Sequence, residues 1–411
     1  AYSLVAAGTG PYRIEFTALP AGYRPSAHGL GVTGSGTTVQ YVPDGNSTNV
    51  NLGIIDPASF CQNNPTIYTS CFVYGDNVGG ANNGMPVLVD FPYTAGANTG
   101  TQADYFLPNS HGLMVPANGL GAVFGLGFHR PTSRIFAAAF MKKHAGYGPG
   151  GPGAIYSIDP ATQPGGAPSL YVNLDTLFGA GTTGGNAHAG NGGDYDRDAG
   201  NVTWDAVGKT SLGGLEVSPD GQFLFVVNLA DRQVYRLPAT VAPTVGNTVR
   251  TALPVPATAV PADGSDLRPF ALQYHRGVLY VGMVNSAEST ALATNLRAYV
   301  YTLDPATMTF GATPVLDFPL NYPRGAVQTF SGTTPATWRP WRPTFGLAPG
   351  GGSAVGSYPQ PMLTGLSFDV DGNMTLGLRD RAGDQFGFFT FDNPANSTRY
   401  EGVAGGDTLF A

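Results

Sequence analysis

Lysine and glutamate are almost missing from this 411-residue chain. Lysine stands only at Lys142, Lys143 and Lys209, and glutamate only at Glu15, Glu216, Glu288 and Glu401. Charged residues make up 11% of the chain, against roughly 25% in an average globular domain. Side chains that favour helices are therefore scarce, and residues that favour turns take their place. No long amphipathic helix is supported anywhere. Hydrophobic content is an ordinary 42%, so low charge does not here signify disorder. Strands joined by long loops are the expectation.

No basic cluster exceeds Lys142-Lys143-His144, and the net charge is −7. A nucleic-acid footprint is missing. No apolar run approaches the ~20 residues that span a bilayer. No secretory signal opens the chain, and Ala1 lies inside what reads as a strand, as in a processed or partial product. Cys61 and Cys71 are the only cysteines. They flank Pro65 and are spaced to close a short loop as a disulfide, which an exterior-type composition favours. Two buried thiols are the alternative. No histidine lies near enough in sequence to make zinc spacing.

What the chain does have is repetition. Four apolar entries are Leu126-Gly127-Phe128, Leu215-Glu216-Val217, Leu272-Gln273-Tyr274 and Leu366-Ser367-Phe368. Each runs into a tight turn, such as Pro219-Asp220-Gly221, and leaves as a second apolar run. A third strand ends three times on nearly one phrase: Ile158-Asp159-Pro160-Ala161-Thr162, Leu237-Pro238-Ala239-Thr240 and Leu303-Asp304-Pro305-Ala306-Thr307. Phe391-Asp392-Asn393-Pro394 reads as a worn fourth copy. Strand, turn, strand, loop, strand is the grammar of a propeller blade. The gaps from 126 to 215 and from 272 to 366 are about twice a blade of ~40–50 residues. Each hides a worn blade or holds long insertions, with Leu170–Leu174 and Val315–Leu320 as the strand-like pieces inside. The expected fold is all-β: a propeller over 67–411 of about six blades, within a range of five to seven. Thr408-Leu409-Phe410 is expected to pair near the start of the propeller and close the ring.

Residues 1–56 differ. Tyr12–Phe16, Thr37–Val42 and Ser47–Leu52 read as strands, and residues 57–66 as a linker. The phrase Leu19-Pro20-Ala21-Gly22-Tyr23 before closing strands resembles the end of the B-type repeats of bacterial surface adhesins. That resemblance implies a partial prealbumin-like β-sandwich. From about Cys61 onward the chain is similar to predicted propellers of very large bacterial surface and secreted proteins. The phrases that carry this are Ile135 to His144, Gly153-Ala154-Ile155-Tyr156, Val207-Gly208-Lys209, Gly377 to Arg381 with Gly383-Asp384-Gln385, and Gly406-Asp407-Thr408-Leu409. The resemblance implies architecture and a secreted or cell-surface location, and brings no catalytic residues with it.

Few motifs point to chemistry. Asp194, Asp196, Asp198 and Asp205 stand at positions 1, 3, 5 and 12 of a calcium-loop layout. Ala199 replaces the expected glycine and no helices flank the loop, so the readings are a calcium loop on a β scaffold or a solvated acidic loop. His188, just upstream, is a further candidate ligand. Asp369 to Asn373 looks similar but makes a hairpin turn. Arg379-Asp380-Arg381 and Asp384-Gln385 line the channel or one rim, or tie blades by ion pairs. His129 and His275, each followed by arginine at one cassette position, suit a structural role. Trp338 and Trp341, in a repeated Trp-Arg-Pro, are either a sugar-stacking platform or a pin over the core.

The preferred function is a non-catalytic extracellular module of adhesion or assembly, stabilised by calcium. Its expected partners are a neighbouring subunit or upstream domain, reached through residues 1–55, and surface glycans. The alternative is a hydrolase or lyase acting on polysaccharide at the propeller mouth. Carboxylates and aromatics converging on the channel would favour the enzyme, and a channel plugged by apolar side chains the module.

Overall fold

The computed structural model describes residues 2–28, 37–48, 50–55, 64–93, 112–188, 195–197, 201–329, 332–348, 355–369, 371–395 and 397–411. The chain divides into two compact units, Ala1–Ile67 with Phe91–Ser110, and Tyr68–Asp90 with His111–Ala411. Among the described residues no helix is long and apolar enough to cross a membrane.

In the first unit, β1 (Tyr12–Glu15) pairs with β3 (Val39–Val42), and β2 (Arg24–His28) with β4 (Leu52–Ile55). The strand expected at Ser47–Leu52 starts later because a turn holds the preceding residues: Asp44 Oδ1 accepts from Asn46 N at 2.9 Å and Ser47 Oγ donates to Asp44 O at 3.1 Å. Two separate two-stranded ladders do not make the expected sandwich. Gln40 is the only buried residue among those described in this unit. Tyr2, Leu4, Val5, Tyr41 and Ile54 stand exposed.

The second unit is a propeller of five blades, the low end of the expected range of five to seven. Blade 1 is β5 (Thr66–Ser70), β6 (Pro86–Pro92) and β7 (Gly112–Pro116). Blade 2 runs from its inner strand outward as β8 (Val123–His129), β9 (Arg134–Ala139), β10 (Ala154–Ile158) and β11 (Ser169–Asn173). Blade 3 repeats this with β12 (Leu212–Val217), β13 (Phe223–Asn228), β14 (Gln233–Pro238) and β15 (Val249–Ala252). Blade 4 has β16 (Leu267–His275), β17 (Val278–Asn285) and β18 (Arg297–Asp304), with β19 (Thr309–Phe310) and β20 (Leu316–Pro319) both on β18. Two minor ladders join β21 (Gln328–Thr329) to β22 (Gly332–Thr333), and β23 (Val355–Gly356) to β26 (Glu401–Gly402). Blade 5 is β24 (Pro361–Phe368), β25 (Met374–Asp380) and β27 (Asp407–Phe410). Its third strand β27 pairs with β25, not with the first blade as expected.

The sequence cassettes become the inner hairpins β8–β9, β12–β13, β16–β17 and β24–β25. The repeated Asp-Pro-Ala-Thr phrase turns the chain toward the outer strands. There Asp159 Oδ1 accepts from Ala161 N at 3.0 Å, and Asp304 Oδ1 from Ala306 N at 2.8 Å. The long gaps hold insertions, not worn blades. Leu170–Leu174 supplies β11, and Val315–Leu320 supplies β20. Helices are single turns: α1 (Ala117–Leu120), α2 (Leu174–Phe178), α3 (Asn201–Ala206) and α4 (Ala382–Gln385).

Hydrocarbon packs four of the five blade junctions. Val87 and Val115 of blade 1 meet Val123 and Ile135 of blade 2. Phe136 and Ile155 meet Leu215 and Val226 of blade 3. Phe225 and Val227 meet Leu272 and Val281 of blade 4. Val284 and Val300 meet Leu363 and Leu376 of blade 5. Among the described residues no such cluster joins blade 5 to blade 1.

Every inner hairpin from blade 2 onward carries a bulge in the same region, within Val123–Leu126, Leu212–Leu215, Pro269–Ala271 and Leu363–Gly365. A bulge re-aims side chains out of the pleat. Phe124 and Phe270 thereby meet edge to face, their ring centroids 4.9 Å apart. They belong to blades 2 and 4, which are not neighbours, so the contact crosses the propeller axis. Phe140 packs on both at 5.4 and 5.7 Å, and Phe72 of blade 1 joins it at 6.1 Å. Blade 3 makes room with Gly213, where a Cβ would lie 3.0 Å from Leu229 and 3.3 Å from the Phe270 carbonyl. The axis is filled with aromatic rings.

Candidate functional site

At one rim blades 2 to 5 present the loop after their second strand. There the register pairs Val123 with Ala139, Leu212 with Asn228, Leu267 with Asn285 and Pro361 with Asp380. Two of these loops, after β9 and after β25, carry most of the buried charge.

Lys142 Nζ donates to Asp384 Oδ1 at 3.1 Å and to Gly383 O at 2.5 Å. Arg379 holds the same carboxylate from its other side, Nε to Oδ2 at 2.6 Å and Nη2 to Oδ1 at 2.7 Å. Lys143 N donates to Asp384 O at 3.0 Å. Lys143 Nζ reaches Asp392 Oδ1 at 3.0 Å, and His144 Nε2 reaches the same oxygen at 2.6 Å. Thr390 Oγ1 donates to Asp392 Oδ2 at 3.0 Å. His144 Nδ1 faces Tyr195 O at 2.7 Å. Both ring nitrogens thus lie within hydrogen-bond distance of oxygen atoms. Burial pushes both carboxyls up, yet each ends below the ordinary carboxylate range. For Asp384 the Lys142 charge and the Arg379 hydrogen bond win; for Asp392, the His144 hydrogen bond and the Lys143 charge. Burial outweighs Asp384 at Lys142, whose pKa falls. These pairs tie blade 2 to blade 5. Arg379 lies over Phe72 and Phe124 at 6.0 and 5.5 Å, so it also caps the aromatic plug.

A second cluster surrounds Arg381, which is fully buried. Its guanidinium donates to Val207 O at 2.8 Å, Asp205 O at 2.9 Å and Gln360 Oε1 at 2.9 Å, and lies 4.2 Å from the Trp341 ring centroid. Burial lowers its pKa to about 10 despite Asp205 and Glu288 nearby. Lys209 Nζ bridges Asp205 Oδ1 at 2.5 Å and Glu288 Oε1 at 2.6 Å, and Arg268 Nη2 reaches Glu288 Oε2 at 3.1 Å. All three lysines of the chain therefore end in ion pairs. The rim charges tie blades, as one of the two sequence readings held.

The expected calcium ligands do not converge where they are described. Asp194 and Asp198 lie outside the described residues. Asp196 is fully buried and its Oδ2 accepts from His144 N at 2.9 Å and faces His188 Nδ1 at 2.7 Å. Asp205 sits on α3, its carboxylate given to Lys209 and Arg381. A carboxylate that already balances two cations has little left for a metal. Among the described residues no group of three or more His, Cys, Asp or Glu side chains is placed to hold a metal ion. Cys61 also lies outside the described residues, and Cys71 is a half-buried free thiol whose pKa burial raises.

Trp338 and Trp341 are no sugar platform. Each is 2% exposed. Both belong to the core between blades 4 and 5, and Trp341 Nε1 donates to Pro361 O at 2.9 Å. His129 and His275 do clasp neighbouring blades. His129 Nε2 lies 2.8 Å from Gly221 O, and His275 stacks on Phe368 with centroids 4.3 Å apart. Asp392 was hidden in the worn fourth copy of the repeat. Its departure from the pattern was the available signal, because blade 5 draws its third strand from β27 instead.

No protein-family model matches the chain. Colossin-A of Dictyostelium discoideum is 31% identical over 331 residues, 80% of this chain and 3% of that protein. Colossin-B of the same organism is 29% identical over 391 residues, 91% of this chain and 9% of that protein. Colossin-C is 26% identical over 384 residues, covering 34% of its length. The chain thus spans a small part of the curated relatives it matches. These relatives are not bacterial, so the bacterial setting implied by the resemblance gains no support. Among solved structures, a chain of a nidogen–laminin complex aligns over 82% of this chain and 97% of its own, with 12% identity and a TM-score of 0.35. The periplasmic gluconolactonase of Pseudomonas aeruginosa aligns over 72% of this chain and 59% of its own, with 12% identity and a TM-score of 0.30. Neither likeness carries an argument about activity.

Proposed function

We propose that this chain is a non-catalytic, extracellular module of adhesion or assembly, and that residues 1–55 are its docking segment. One observation carries the reading: among the described residues of that segment only Gln40 is buried, while Tyr2, Leu4, Val5, Tyr41 and Ile54 face solvent. A segment whose described residues bury no apolar side chain gains little to offset the entropy of ordering its backbone. Two-stranded ladders are marginal alone and leave edges that invite further strands. The segment has few charges to discourage such pairing: Arg13, Glu15, Arg24 and Asp44. Strands from a neighbouring subunit or an adjoining domain would complete the ladders and cover these side chains.

The propeller fits the same role. Its axis is plugged by Phe72, Phe124, Phe140 and Phe270, and the rim carboxylates Asp384, Asp392 and Glu288 are consumed by ion pairs. The low charge accords with an extracellular setting. Sedimentation of the full chain beside a truncation beginning at Asp56 tests the docking segment. The full chain is expected to associate, or to be cleaved by protease before residue 56, and the truncation to remain a folded monomer. A monodisperse full-length monomer with a protected N-terminal segment would overturn the proposal.

A further inference from the structure

The repeated Trp-Arg-Pro loop has a second side. Its tryptophans lie in the core, and its arginines meet on one tyrosine. The guanidinium carbon of Arg339 lies 5.7 Å from the Tyr358 ring centroid, and that of Arg342 5.3 Å. Backbone bonds fix the loop. Arg339 N donates to Pro359 O at 2.8 Å, Trp341 N to Ser286 O at 3.0 Å and Arg342 N to Gln360 Oε1 at 2.8 Å. Gly346 supplies the seat for Arg342. A Cβ there would lie 2.3 Å from Arg342 Nη1 and 2.7 Å from its Cζ, so a larger residue would push the guanidinium aside.

These two charges have no counterpart. Between Asp317 and Asp369 the sequence holds no carboxylate side chain, and its cations there are Arg324, Arg339 and Arg342. Arg324 is spent on the Gly405 and Pro335 carbonyls. In the same two blades Asp317 holds Arg297 and Asp384 holds Arg379. Among the described residues neither Arg339 nor Arg342 forms an ion pair, and neither guanidinium donates a hydrogen bond. Both side chains are half-buried, and the Arg339 Nε is itself buried without an acceptor. Contact with the Tyr358 ring consumes none of their N–H donors. A guanidinium keeps its charge at every pH where proteins fold. Two like charges set on one ring repel, and a donor left unmet in a half-buried place is costly. An oxyanion relieves both, because guanidinium N–H groups in a fixed fork match its oxygens.

We infer that Arg339 and Arg342, set on Tyr358, bind one oxyanion group over the junction of blades 4 and 5. The net charge of −7 repels long polyanions, so the site takes a single group, free or carried on a larger molecule. NMR of the arginine Nε–Hε signals in the full chain tests this, with Arg339→Gln and Arg342→Gln to assign the two signals. Both should shift saturably with inorganic sulfate and stay in place with chloride at the same ionic strength. Gly346→Ala displaces only the end of a flexible side chain. It should weaken sulfate binding about tenfold and leave the melting temperature unchanged. Glucose 6-sulfate separates the sources, with glucose as the neutral control. Sulfate binding alone assigns a free ion, and binding of both assigns a group carried on a larger molecule. No saturable shift, an equal response to chloride, or an affinity unchanged in Arg342→Gln would each overturn the site. It lies outside residues 1–55, so its result is independent of whether that segment docks.

Discussion

Lys143 Nζ lies 3.0 Å from Asp392 Oδ1, and neither side chain is more than 1% exposed. The pair joins a loop of the second blade to the chain beyond β25 of the fifth, across one rim. Removing one member of a buried ion pair leaves the other charge stranded, which typically costs about 3–5 kcal/mol. Lys143→Met is expected to lower the unfolding free energy by about that much, read from urea denaturation. Asp392→Asn should cost a similar amount, and the double variant less than the sum. Strictly additive losses would show that the two residues act apart.

The same rim ion pairs predict acid sensitivity. Asp384 and Asp392 titrate below the ordinary carboxylate range in the folded protein. A carboxyl with a depressed folded pKa stabilises above its unfolded value, about 3.9. That stability is lost as pH falls through the folded value. Unfolding free energy should therefore drop steeply below about pH 4. Asp392→Asn should flatten the drop, and an unchanged pH profile in that variant would contradict the assignment.

Glu216 has the opposite sign. Burial raises its pKa to about 7, offset in part by the N–H groups of Tyr274 and Val217. The folded state then holds a proton that the unfolded state has released, so this group's contribution falls as pH rises between about 4 and 7. Glu216→Gln should remove that decline and gain about 1–3 kcal/mol at pH 8 relative to wild type. Denaturation at pH 5 and pH 8 decides it. A variant that loses stability at both would mean the ionised form is wanted.

Two glycines on inner hairpins should answer the same substitution differently. At Gly125 a Cβ would lie 2.6 Å from the Gly213 carbonyl oxygen, which is backbone and cannot swing aside. Gly125→Ala should cost about 1–3 kcal/mol. Gly365 has open space, so Gly365→Ala should fall within about 0.5 kcal/mol of wild type. Equal melting temperatures for the two variants would refute the packing difference between the blades.

Asp196 is expected to matter as a structural anchor. It receives the His144 N–H and pairs with His188 in full burial. Asp196→Ala should lower stability by about 3–5 kcal/mol equally with calcium and with chelator. If chelation brings wild type down to the variant's level, calcium holds this loop after all.

Much of the propeller was legible because blades are local. Each inner hairpin is written in one run of sequence, as with Leu272–Tyr274, the turn His275–Gly277 and Val278–Val284. The blade count was not, because length alone does not separate a worn blade from an insertion. The stretch between β11 and β12 carries α2, α3 and the rim charges instead of a blade. The latch was illegible for another reason. Lys142 and Lys143 find partners more than two hundred residues away, and nothing local names Asp384 or Asp392. The clue was scarcity: a chain with three lysines places two of them side by side. Trp338 and Trp341 left two readings open because a Trp-Arg-Pro repeat looks alike on a surface and over a core, and burial settles them as pins over the core.

A ring with a solid hub and a charged strap across one rim has a defined first loss. The four hydrocarbon junctions are indifferent to acid, whereas the strap from blade 2 to blade 5 depends on two carboxylates staying ionised. Falling pH should free the loops it holds while the inner hairpins stay folded. Loosening of this kind can reverse, because restoring neutral pH lets the lysines find their aspartates again.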